Sequence, residues 1–119
     1  MLTFLNNNSP EDRLYKNLKV IRNRKMDFDP WVFLSDDEII KTSAGINSHY
    51  PYRNILCFAH RQGSDDYACL ITKGELTGKF IFIHWFASPG WETGKNSPLD
   101  SFGDVLEAII SDMIDNNIL

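Results

Sequence analysis

Cys57, His60, Cys69 and His84 are the residues whose types could hold a metal, since thiolate and imidazole are both zinc ligands. Their spacing argues otherwise. Cys57 and His60 form one C-x-x-H pair, but Cys69 and His84 come singly from separate strand-like runs. A nucleophilic thiol working with His84 fails for another reason. A reactive cysteine needs an electropositive, partly open setting, and both cysteines sit among Ile, Leu, Phe and Tyr. Asp65 and Asp66 could serve as paired carboxylates, and with His60 or His84 they would suit a small hydrolase. An Asp-rich turn before a strand explains the same pair more simply. The sequence has no G-x-x-x-x-G-K-[ST], no G-x-S-x-G and no H-E-x-x-H. No catalytic residue, metal or cofactor is therefore predicted, and the chain is expected to work by binding a partner.

Two loops supply the candidate partner-binding residues. His60, Arg61 and Gln62 lead into Gly63-Ser64-Asp65-Asp66, and Pro89-Gly90 sets Phe86 and Trp91 beside Glu92. Trp91 either folds back over the core or anchors a partner, as exposed tryptophans commonly do. The two loops flank neighbouring strands, so Asp65, Asp66, His60, Arg61, Trp91 and Glu92 are expected to converge at one end or on one face of a sheet. His49, Tyr50, Tyr52 and Arg53 form a third cluster, equally well explained as packing around Pro51.

Three helices must frame these loops. Ser9-Pro10-Glu11-Asp12 offers a cap, proline at the first helical position and acids in the first turn. Leu14, Leu18 and Ile21 then recur at helical spacing, which predicts a helix over 10–25. Ser35-Asp36-Asp37-Glu38 is a capping box flanked by Leu34 and Ile39 as a hydrophobic staple. Gly45 or the Tyr50-Pro51 step should end that second helix. Phe102, Val105, Leu106, Ile109, Ile110, Met113 and Ile114 make one apolar face after a Ser101 cap, with Asp104, Glu107, Asp112 and Asp115 largely outside it.

Between the second and third helices the period shortens. Ile55–Ala59, Tyr67–Ile71 and Lys79–Phe86 are rich in β-branched and aromatic residues, with Gly63 in the first turn and Gly74 and Gly78 bracketing the second. Connections this short join antiparallel neighbours and leave no room for parallel crossovers. Asp29-Pro30-Trp31-Val32-Phe33 suits an edge position, because Pro30 cannot serve a sheet interior. The predicted class is α+β: an antiparallel sheet of three to five strands covered by helices on one side, in a single domain over 1–119.

The formal net charge of −4 is unevenly spread. Residues 1–25 hold six basic and two acidic residues, and residues 26–119 hold six basic and fourteen acidic. An acidic body repels nucleic acid and attracts basic surfaces. No apolar run approaches the roughly 20 residues that cross a bilayer. Met1–Leu5 lacks the basic start and length of a signal peptide. A cytoplasmic location follows as an expectation, and there Cys57 and Cys69 should sit reduced and buried, with a disulfide between them as the less expected alternative.

The second half also resembles a known family. The run Asn54-Ile55-Leu56-Cys57-Phe58-Ala59, the Gly63-Ser64-Asp65-Asp66 turn, the strand Tyr67-Ala68-Cys69-Leu70, His84-Trp85 and Ser101-Phe102-Gly103-Asp104-Val105-Leu106 follow in the order of the SUKH superfamily. That superfamily includes a fungal cell-wall-synthesis regulator and many bacterial immunity proteins. The resemblance covers roughly residues 54–110. Cys57 stands where proline is common, Val105 replaces an aromatic, and Phe86 stands where an acid usually follows the tryptophan. The resemblance implies an α+β fold and an immunity protein that neutralises a toxin domain, often a nuclease, by direct binding. A regulatory or scaffold module of the same fold is the alternative, and the small hydrolase is the reading from a different class.

Overall fold

The computed structural model describes residues 9–49, 54–84 and 98–115. The elements run α1 (Pro10–Asn23), β1 (Trp31–Phe33), α2 (Asp36–His49), β2 (Ile55–Arg61), β3 (Asp66–Ile71), β4 (Phe80–His84) and α3 (Phe102–Asp115). The four strands form one antiparallel sheet in the order β1-β2-β3-β4. This is an α+β fold with helices flanking the sheet, and the Pro30 segment occupies the edge. Gly63 turns β2 into β3 with φ of 83°, a backbone state that a side chain would strain.

The helix starts follow their local chemistry. Ser9 Oγ accepts the Asp12 N–H at 3.0 Å. Glu38 Oε1 accepts the Ser35 N–H at 2.9 Å while Ser35 Oγ accepts the Glu38 N–H at 3.3 Å, the reciprocal bonds of a capping box. Leu34 and Ile39 are both buried behind it. Gly45 does not end α2, which continues to His49; one glycine costs a helix only about 1 kcal/mol, within what tertiary packing can offset.

Strand alternation builds two apolar layers. On the first face Phe58, Ala59, Ala68, Leu70 and Phe80 meet Leu14, Leu18 and Ile21 of α1 and Val105 and Ile109 of α3. Phe58 is fully buried there, with ring centroids 5.8 Å from both Phe80 and Phe102. The second face is not left bare, as cover on one side alone would require. Ile55, Cys57, Cys69, Ile81 and Ile83 cluster with Ile46 of α2, and Tyr67 and Ile71 pack against them.

The backbone explains why α2 sits there. β1 pairs only with the last part of β2, at Ala59–Arg61, so among the described residues the start of β2 has β3 on one side and no strand on the other. Two α2 side chains serve in place of one. Asn47 accepts the Ile55 N–H at 3.1 Å and donates through Nδ2 to the Ile55 carbonyl at 2.9 Å. Ser43 Oγ accepts the Cys57 N–H at 2.8 Å. Buried backbone groups must find partners, and this need holds α2 at the edge while Ile46 reaches the second face.

The apolar face of α3 is wider in sequence than in the fold. Val105 and Ile109 are buried, and Phe102, Leu106 and Met113 are half-buried against the first-face cluster. Ile110 is 45% exposed and Ile114 55% exposed, so the expectation that Ile110 joins the core is corrected. The helix meets the sheet along a narrower stripe, and Asp112 beside it bonds Trp31 and Arg61.

Candidate functional site

A row of polar side chains crosses the sheet at the end that carries the β2–β3 turn. Trp31 and Arg61 are register partners, as are Asp66 and His84. Ala59 pairs with Ala68 and His60 with Tyr67, and continuing that register sets Arg61 opposite Asp66. Register partners point to the same side of a sheet, so Trp31, Arg61, Asp66 and His84 line up on the first face. A bulge between Cys57 and Ala59 sets this phase by inserting Phe58 as an extra residue in β2. Arg61 thereby reaches the α3 side, and His60 turns to the other.

Each charged group in the row is held by a partner. Asp112 of α3 accepts two bonds on one oxygen, from Trp31 Nε1–H at 3.0 Å and Arg61 Nε–H at 2.9 Å. His84 Nδ1–H donates to Asp66 Oδ1 at 3.0 Å. Ser64 Oγ donates to Asp66 Oδ2 at 3.1 Å and accepts the Asp66 N–H at 3.3 Å. The Pro30 carbonyl accepts the Gln62 N–H at 2.8 Å, which ties the segment before β1 to the same turn. The turn is thus braced by α3, by β4 and by the segment before β1.

The arrangement has definite chemical limits. The serine hydroxyl meets the carboxylate and not the imidazole, the reverse of the order that activates a serine nucleophile. His84 lies on the first face, whereas Cys57, Cys69 and His60 lie on the second, so these four side chains do not converge. Among the described residues no group of three or more His, Cys, Asp or Glu is placed to hold a metal ion.

On the second face His60 stacks on Tyr67, with ring centroids 4.6 Å apart. Its Nε2–H donates to the Ser64 carbonyl at 2.8 Å. Burial, with smaller contributions from Cys57, Asp65 and Cys69, pushes the Tyr67 phenol above its usual 10.

No protein-family model matches the chain, and no curated protein or solved structure matches it.

Of the residues expected to form a partner site, the fold brings His60, Arg61, Asp65 and Asp66 to one turn but sends His60 and Arg61 to opposite faces. Phe86, Trp91 and Glu92 lie outside the described residues, and so do Tyr50, Tyr52 and Arg53. Sequence reasoning missed Trp31 and Asp112 as members of the row. The indole was the available signal, since a buried Trp N–H needs an acceptor and carboxylates are common ones.

Proposed function

We propose that this chain is a non-catalytic binding protein of the immunity type, which neutralises a basic toxin domain by docking it on the β2–β3 turn end of the sheet. The observation that carries this reading is the charge gathered there. Asp112 bonds Arg61, the register sets Asp66 opposite it, Asp65 lies in the same turn, and Asp29 precedes Pro30, whose carbonyl bonds Gln62. Asp29 is exposed, and Asp65 and Asp66 are half-exposed. Cross-bracing supports the same reading, because groups already held in place lose little freedom on binding. A nuclease presents a basic cleft to phosphates, and an acidic surface is its electrostatic complement. The SUKH-like order of motifs over residues 54–110 supplies the partner class.

The test is recovery of the partner with tagged chain from the native host, followed by binding kinetics and an assay of the partner's activity. The expected partner carries a basic surface and loses activity when bound. Asp29→Lys with Asp65→Lys leaves the Asp66 and Asp112 bonds in place, and should slow association roughly 10-fold at low salt and less at high salt. Association unchanged at low salt would move the docking face elsewhere. A bound partner that stays fully active would end the immunity reading.

A further inference from the structure

We propose that Cys57 and Cys69 are a redox-closable pair, which an oxidant converts to an intramolecular disulfide joining β2 to β3. This site is on the second face and does not depend on the function proposed above. The two residues are register partners in adjacent antiparallel strands. Cys69 Sγ donates to Cys57 Sγ at 3.0 Å, both residues are fully buried, and neither is in a disulfide.

The hydrogen-bond phase of the ladder explains the approach. Thr72 N–H bonds the Asn54 carbonyl. Alternation along the register then makes Leu56 and Leu70 a hydrogen-bonded pair, and makes Cys57 and Cys69 a pair without ladder bonds. The Cys57 N–H confirms this phase by pointing away from β3 to Ser43 Oγ. Pairs of this kind bring their Cα atoms to about 4.5 Å, inside the range that a disulfide spans. The sulfurs need approach by only about 1 Å more to bond. Ile81 on β4 continues the row beyond Cys69, while Ile55 and Ile83 complete an apolar wall around the pair.

With a disulfide oxidant such as oxidised glutathione, one cysteine thiolate attacks the oxidant's sulfur and releases one glutathione thiolate. The second cysteine thiolate then attacks the mixed disulfide at the protein sulfur and releases the other. Two protons leave the protein, its two thiols are oxidised together by two electrons, and the oxidant is reduced to two thiols. Burial makes the first attack wait for a local opening of the sheet. The fold therefore slows entry into the reaction and favours its product.

The experiment equilibrates the full chain in glutathione redox buffers, once folded and once in denaturant, traps remaining thiols by alkylation and weighs the intact protein. Folded chain should form the internal disulfide, with loss of two hydrogens, at an effective thiol concentration on the order of 100-fold above that of the denatured chain. Linkage requires the oxidised form to melt higher than the reduced form. A folded-to-denatured ratio of one or less would overturn the proposal, as would a product carrying glutathione on a single cysteine. The readout uses the native sequence, so no variant has to fold for the result to count.

Discussion

One face of the sheet is filled by aromatic rings under α1 and α3 with Ile39 of α2, and the other by aliphatic side chains and two thiols with Ile46 of α2. On the first face Phe58 touches strand, edge and α3 at once, through Phe80, Phe33 and Phe102. On the second, Ile46 arrives because Asn47 and Ser43 must satisfy β2's backbone. The contrast separates two ways of attaching a helix to a sheet. α1 and α3 are held by buried apolar area, and α2, whose Ile39 and Ile46 are also fully buried, adds directional bonds to a strand edge.

The largest expected effect tests the first face. Phe58→Ala should cost about 3–5 kcal/mol and Ile109→Ala about 2–5 kcal/mol in a denaturant melt, since each leaves a cavity in the dense cluster. Losses below about 1 kcal/mol would show that the aromatic layer is not the main core. Ile110→Ala on the same helix should change stability by no more than about 0.5 kcal/mol, because that side chain is largely wet.

Next comes the edge of β2. Ser43→Ala leaves the buried Cys57 N–H without its acceptor and should cost about 1–3 kcal/mol. Asn47→Ala should cost a similar amount. Amide exchange at Ile55 and Cys57 should accelerate in these variants while Leu70 stays protected. Uniform acceleration across the sheet would mean that α2 is held by packing like its neighbours, and the contrast would fail.

Asp112→Ala should be milder in its site-specific effect, roughly 1–2 kcal/mol, since its two bonds are charge-assisted but partly exposed. Its indole signal is the sharper readout. Trp31 Nε1–H should shift in NMR and exchange faster, whereas Asp104→Ala should leave it unchanged.

The smallest effect is a pH dependence on the first face. Burial, reinforced by Asp36 and partly offset by Arg22, pushes the Tyr15 phenol up to about 12. The unfolded chain loses this proton near the ordinary value of 10, before the folded chain does. The contribution is present in full below pH 10 and is lost as pH rises from about 10 to about 12. Tyr67 acts in the same direction. Melting temperature should fall less steeply over that window in Tyr15→Phe than in the native chain; equal slopes would exclude Tyr15 as a contributor.

Local signals were legible in the sequence, and long-range ones were not. Ser9, Ser35 and Glu38 cap their helices because capping is settled within four residues. Pro30 announced an edge, and Gly63 and the short connections announced antiparallel neighbours. The exposure of Ile110 and Ile114 could not be read, because periodicity gives the direction of a face and not the width of its contact. The Trp31–Asp112 bond spans 81 positions of the chain, and no local pattern encodes it. Asn47 and Ser43 looked like ordinary helix residues, since their role arises only where β1 stops short of β2's start.

The extra residue at the bulge makes β2 a strand of two parities. Before Phe58, odd-numbered side chains join the thiols; after it, even-numbered ones do. Removing one residue between Cys57 and Ala59 would leave the strand long enough to pair, yet would exchange the destinations of His60 and Arg61. The guanidinium would face the apolar wall around the cysteines, and the imidazole would face Asp112. Length here is therefore information: chemistry at the tip of the sheet depends on an odd count in its middle, set by a phenylalanine that carries no reactive group.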